Sequence, residues 1–370
     1  MDKKDREILE YIFNDNNATL SEIGRRFGIS RQAAHKRVKR LIEQGLLLKI
    51  GRTKNSEYFL TEEGIKSIDK KVIPKNLVTR QATKREIRFK FKPDESEDIV
   101  FDKVAAVTNL KKFLNRNALD ICRYVFTEIF NNAIDHSSSP RIDVVVRFEN
   151  YSLSMKIRDY GVGIFKRIAN ELGLNSESDA ITWLIPGKTT TQKERHTGEG
   201  IFFSSKASRE MMIKSHKLAL HFDNYGQEAW VEKLKGYIKG TAVAFVVPYN
   251  MRKRLSDIFE IYAPYRYDFN FQISRVVVTI LGKKLISRSQ AKRLVQPIIG
   301  KFKEVIFDFK KVEMVGQGFL DELLRVFPSG EKDLIVKVIN VPSELIPFFR
   351  RIEVDKNRVH LVDNQVDNVK

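Results

Sequence analysis

Glu128 and Asn132 stand one helical turn apart and Asp135 follows within the next, so three polar side chains share a stripe of a segment whose apolar face is Ile121, Val125, Phe126, Ile129 and Ala133. A solvated helix face gives the same stripe. Asp159 closes the alternating run Ser154–Arg158 and opens Asp159-x-Gly161-x-Gly163, which sets a carboxylate at a strand end beside a turn. A bare turn explains that triplet equally well. Farther along, Thr197-Gly198-Glu199-Gly200 opens the apolar run Ile201-Phe202-Phe203, and glycines at a helix N-terminus let backbone N–H groups approach phosphate oxygens. Gly240-Thr241 then leads into a strand ending at Pro248. Each element alone is weak, and their order along the chain carries the signal.

The elements that must hold these groups are a helix around residues 121–133, strands ending near Arg158 and Pro248, and a helix starting at Gly200, an α/β unit placed at residues 99–250. Between its second and third motifs, residues 164–196 are expected to form a lid. That stretch contains Gly187-Lys188-Thr189-Thr190, Lys193 and Arg195, cations that reach a phosphate chain or form a solvated run.

The ordered set Glu128-x-x-x-Asn132, Asp159-x-Gly161-x-Gly163, Thr197-Gly198-Glu199-Gly200 and Gly240-Thr241 resembles the GHKL family of gyrases, heat-shock chaperones, histidine kinases and mismatch-repair ATPases. The resemblance implies the α/β sandwich called the Bergerat fold, with ATP and Mg²⁺ as ligands. It implies that Asn132 binds Mg²⁺ through its amide oxygen and that Glu128 positions or deprotonates the attacking water. Asp159 would accept the exocyclic amine of adenine, where guanine presents a carbonyl oxygen, with Thr241 supporting the contact. Asp135, Gly161, Gly163, Lys188, Thr197, Gly198 and Gly200 complete the expected nucleotide site. A sensor histidine kinase does not fit, because His35 alone among the histidines precedes this region and Lys36, not an acid, follows it.

A formal charge of +19 attracts nucleic acid or acidic surfaces, and its placement decides which. Residues 1–71 read as three helices and a hairpin: an apolar periodicity at Ile8, Leu9, Ile12 and Phe13, a capping-box pair Thr19 and Glu22, and a third helix after Ser30 stopped by Gly45. Leu46–Ile50 and Tyr58–Leu60 flank a turn. The arrangement is similar to a winged helix-turn-helix of bacterial regulators. From Arg25 to Lys54 ten basic residues face Glu43 alone. Arg31, Gln32 and His35 are the base-edge candidates, and Lys36, Lys39, Arg52 and Lys54 suit the DNA backbone.

Residues 72–98 pass from basic to acidic without clear periodicity and are expected to be a linker. Residues 251–370 alternate strands and helices. Their run Phe307-Asp308-Phe309, Val312-Glu313 and Gly316 to Leu323 resembles a STAS-like domain of unknown function found after such ATPase domains. STAS domains in sigma-factor control carry a phosphorylated serine before the second helix, where this chain has Val315-Gly316-Gln317-Gly318. The absence of a hydroxyl there favours an interaction or regulatory role. Ser287 and Ser289 are more plainly helix caps.

The single Cys122 excludes an internal disulfide and a thiolate zinc site, and no stretch is apolar enough to span a membrane or to act as a signal peptide. The expectation is a cytoplasmic α+β multidomain protein, a DNA-binding, ATP-gated transcriptional regulator with a weak ATPase activity. A regulatory protein partner through the STAS-like domain and a homodimer remain open. So do two rivals, an anti-sigma-type serine/threonine kinase and a non-hydrolysing ATP-sensing scaffold of a defence or stress system.

Overall fold

A computed structural model describes residues 2–15, 18–50, 57–61, 64, 67, 85–149, 151–189, 198–224, 226 and 228–362. Helices Lys3–Asp15, Leu20–Phe27 and Arg31–Glu43 pack beside a small antiparallel sheet of β1 (Ala18–Thr19), β2 (Leu47–Ile50) and β3 (Glu57–Leu60), in the order β1-β3-β2. The second helix begins in the expected capping box: Thr19 Oγ1 accepts from Glu22 N at 3.3 Å, and the Glu22 carboxylate accepts from Thr19 N at 2.8 Å. Ile8, Leu9, Ile12, Ile23, Val38 and Leu41 form the core. Asp5 is fully buried and binds Arg37 at 2.7 Å and also Arg40, so two arginines of the third helix serve its attachment to the first. Neighbouring Asp2 is held down to about 2, chiefly by its hydrogen bond from Arg37.

The central unit is a fully antiparallel sheet of β4 (Arg85–Phe91), β5 (Ile142–Phe148), β6 (Ser152–Asp159), β7 (Glu210–Asp223) and β8 (Glu228–Pro248), in the order β4-β5-β6-β8-β7. The linker expectation for residues 72–98 is corrected here. Arg85–Phe91 is the sheet's edge strand, paired with β5 from Arg85↔Phe148 to Phe91↔Ile142, and Glu97–Thr108 is a helix. Ile87, Phe89 and Phe91 alternate with Arg88 and Lys90, a period of two that the change of charge along the segment obscures.

Helix Arg116–Ser137 lies across one face of this sheet and buries Ile121, Val125, Phe126 and Ile129. Its Cys122 meets Met155 of β6 at 3.7 Å, and burial pushes the thiol pKa well above its ordinary value. On β6 the alternate residues Ser154, Lys156 and Arg158 are more exposed than Met155 and Ile157 between them, so the cations point away from the helices. The stretch expected as a lid contains helices Ile164–Glu171 and Glu177–Leu184, and helix Gly200–Ala207 follows it.

Beyond helix Leu255–Tyr262, β9 (Ile273–Val277), β11 (Glu304–Asp308), β13 (Ile335–Ile339) and β14 (Val359–Leu361) form a parallel sheet in the order β14-β13-β11-β9. β10 (Lys284–Leu285) and β12 (Met314–Val315) make a separate parallel pair. Ser287 caps helix Arg288–Val295, accepting from Gln290 N at 3.3 Å. The helical stretch from Gln317 to Gly330 widens to π winding over Glu322–Val326, just before Pro328, whose ring lacks an N–H and crowds the carbonyl four residues back. Among the described residues no helix is long and apolar enough to cross a membrane.

Candidate functional site

A cavity of about 260 Å³ opens where β6 ends, bounded by helix Arg116–Ser137, helix Ile164–Glu171 and the start of helix Gly200–Ala207. Asp159 lines it at 4 % exposure. Its Oδ1 accepts from Gly161 N at 2.9 Å and from Thr241 N at 3.1 Å. Thr241 Oγ1 in turn accepts from Ile164 N at 3.0 Å, which ties the β8 strand to the first helix of the expected lid. Burial raises the Asp159 pKa, and the Gly161 and Thr241 donors oppose the rise by favouring the charged form. The result is a preorganised acceptor beside the apolar lining of Ile157, Ile168, Leu184 and Val243.

Gly161 is dictated by close approach, because a Cβ there would stand 1.6 Å from the carbonyl oxygen of Ser137, and Val162 N bonds that oxygen at 3.0 Å. The turn after Asp159 is thereby pinned to the end of the long helix. Glu128 and Asn132 of that helix line the cavity together with Gly163, Gly198 and Gly200.

Three expected site residues lie outside the lining: Gly161, which acts through Asp159, and Asp135 and Lys188. Asp135 does not line the cavity; His136 does, because residues 128, 132 and 136 keep a spacing of four that follows one side of the helix, whereas 135 leads away from it. The i, i+4, i+8 spacing would have found His136. Lys188 is also outside the lining. Its Nζ donates to Lys301 O at 2.8 Å and stands 4.9 Å from the Phe302 ring, because the Gly187-Lys188 turn is pressed against Phe271. Burial lowers the Lys188 pKa and raises that of Glu199, and each charge partly offsets the other's shift. Thr189, rather than Lys188, reaches the cavity. Thr197, Thr190, Lys193 and Arg195 lie outside the described residues. Arg167 is a lining residue that motif reading missed; its guanidinium donates to His136 O at 2.6 Å and pairs with Glu171 at 2.9 Å.

At the other end of the chain, Ser30 Oγ accepts from Ala33 N at 3.2 Å and starts the third helix. Ala34, Val38 and Leu41 face the core, which leaves Arg31, Gln32, His35, Lys36 and Lys39 exposed. Lys39 meets Glu43 only at 3.9 Å. Arg52 and Lys54 lie outside the described residues.

Residues 1–47 match a family described as winged helix-turn-helix DNA-binding, and residues 290–343 match the STAS-like domain of unknown function (DUF4325). The chain carries both modules. Over 49 residues it is 37% identical to the uncharacterized HTH-type transcriptional regulator PH1916 of Pyrococcus horikoshii, a match covering 13% of this chain and 33% of that protein. The chain therefore spans about a third of the length of that relative. The exposed basic face of the third helix is where a winged helix meets the major groove, so the module supports a DNA-binding regulator.

Proposed function

We propose that the chain is a DNA-binding regulator of transcription whose central domain binds ATP with Mg²⁺ in the cavity at the end of β6. The carrying observation is the buried Asp159 carboxylate, fixed by Gly161 and Thr241 N–H groups in a cavity also lined by the glycines that open helix Gly200–Ala207. A fixed carboxylate acceptor suits the adenine amine and repels the guanine carbonyl oxygen. An antiparallel sheet with the long helix across one face agrees with the α/β sandwich that the GHKL resemblance implies.

The donor set suits a magnesium ion shared with phosphate. Among the described residues no three His, Cys, Asp or Glu side chains are grouped to hold a metal. Asn132 in the cavity wall offers an amide oxygen, and Mg²⁺ takes few protein ligands when phosphate oxygens and water complete its shell. When bound, the ion neutralises phosphate charge. Glu128, in the same wall, would orient water by accepting its hydrogen bond, and backbone N–H groups at Gly198 and Gly200, which also line the cavity, would serve the phosphates.

Calorimetry of the full chain with ATP and GTP, each with and without Mg²⁺, tests the reading. ATP binds in a Mg²⁺-dependent manner and GTP far more weakly. Equal affinities overturn the adenine contact, and no heat with either nucleotide overturns the ligand class.

A further inference from the structure

The face of the central sheet that the long helix leaves open has its own charge pattern. Lys156 and Arg158 of β6 and Lys214 of β7 point to this side, and the intervening β8 positions are Ala242 and Ala244. Small residues between the cations leave a hollow, part of a trough of about 510 Å³. Among the described residues Lys156 and Lys214 have no hydrogen-bonding or ion-pairing partner, and Arg158 Nε is buried without an acceptor. Arg147 and Arg88 at the rim are already engaged by Glu86. Burial and the like charges of Arg158, Arg147 and Lys214 lower the Lys156 pKa, a repulsion that an anion would relieve.

One wall of the trough is aromatic. β7 and β8 shift register between Ser215 and Leu218, and the hairpin they form folds back until Asn224 N bonds Arg209 O at 3.0 Å. This brings His221 and Trp230 to the trough. Their rings stack at 4.7 Å and 4°, and His221 is anchored to Glu232 at 3.0 Å, yet Trp230 stays 43 % exposed. Arg158 already stacks on the Tyr160 ring at 4.6 Å, which leaves its polar edge for a ligand. A large aromatic held rigid on one side and open on the other, beside two unpaired lysines, matches the two components of strand recognition, stacking on a base and neutralising phosphates.

We propose that this trough binds single-stranded nucleic acid, with Lys156, Arg158 and Lys214 at the phosphates and a base on Trp230. A duplex keeps its base faces stacked internally and offers none to Trp230, and an acidic peptide supplies charge without a ring. The surface is separate from the winged helix and from the nucleotide cavity.

The test uses the full chain carrying Trp183→Phe, which leaves Trp230 as the one tryptophan, and a single strand of about 12 nucleotides. Oligodeoxythymidine and oligouridine arms distinguish DNA from RNA. The expected result is quenching of Trp230 fluorescence that weakens with salt and persists under an excess of unlabelled duplex. With a labelled strand, Trp230→Ala weakens binding about 10-fold, and Lys156→Gln with Lys214→Gln flattens the salt slope by about 1.4. Thermal melts establish that the variants are folded. Absence of quenching, displacement by duplex, an unchanged affinity in the folded double variant, or equal binding of polyglutamate each overturns the proposal.

Discussion

A Cβ on Gly200 would stand 1.9 Å from Oε2 of Glu128, so the carboxylate of the long helix and the first residue of helix Gly200–Ala207 occupy touching space. A side chain there would push the carboxylate, the far end of a flexible side chain, out of its present place. If Glu128 orients water, Glu128→Ala retains ATP binding and lowers turnover by about 100-fold or more, whereas Asn132→Ala weakens Mg²⁺-dependent binding itself. Gly200→Ala disturbs both. Phosphate release and calorimetry on the three variants check this; undiminished turnover by Glu128→Ala would remove the assigned role. Wild-type protein that binds ATP but releases no phosphate supports a sensor instead.

Asp159 separates binding from folding. Its pKa is raised by burial, so the charged carboxylate opposes folding above its unfolded-state value, and protonation on acidification relieves that penalty. Asn at this position keeps an oxygen for Gly161 N and Thr241 N but places an amide where the adenine amine needs an acceptor. Asp159→Asn is therefore expected to melt no lower than wild type near neutral pH while losing ATP affinity by about 10-fold or more. A variant that melts early and binds ATP normally would contradict both halves of the argument.

The legible parts of this fold and site were those whose signals are local. Thr19 and Glu22 announce a helix start, and Glu128 with Asn132 announces a shared helix side, because both follow from spacing within one element. Arg85–Phe91 was also written locally, as alternation, but the charge change across its neighbours suggested a linker. Lys188 was misplaced for a different reason. Its position depends on Phe271 and Lys301, more than 80 residues onward, and no local pattern encodes that packing. The fold-back of β7 and β8 is likewise set by a register shift and by Asn224 meeting Arg209.

Lys206 gives a pH prediction with a fixed sign. It lies on helix Gly200–Ala207 near the C-terminal sheet, and burial, then the charge of Arg275, push its ammonium down to about 7, against the opposing pull of Asp308. Above that pH the folded lysine is neutral, while the unfolded one stays protonated up to its ordinary 10.5. The unfolded state then binds more protons, so this residue makes stability rise with pH from about 7 to 10.5. Relative to Lys206→Met, wild type should gain melting temperature between about pH 6 and pH 9. A constant difference between the two proteins across that range excludes the shift.

The cavity is joined to the C-terminal unit by aromatic packing, and the central unit meets the winged helix through an exposed ion pair. Helix Gly200–Ala207 begins at the cavity, and its Phe202 and Phe203 rings lie 4.5 and 5.0 Å from Phe271 of the C-terminal unit. Arg252, just past β8, approaches Glu22 of the second winged-helix helix at 3.7 Å. An exposed pair at that distance contributes little alone, so coupling to DNA would need nucleotide binding to change how the modules are arranged. Nucleotide binding that moves the start of helix Gly200–Ala207 should change DNA affinity by about 5-fold or more, and DNA should change ATP affinity by the same factor. DNA titrations at fixed salt with no nucleotide, ADP and a non-hydrolysable ATP analogue measure the first factor, and calorimetry with and without DNA measures the second. Lys39→Ala should reduce the salt slope by about 0.9 in every nucleotide state if Lys39 neutralises a phosphate, while Arg31→Ala at a base edge should relax sequence preference. Identical DNA curves in all three nucleotide states would sink the switch even where both ligands bind.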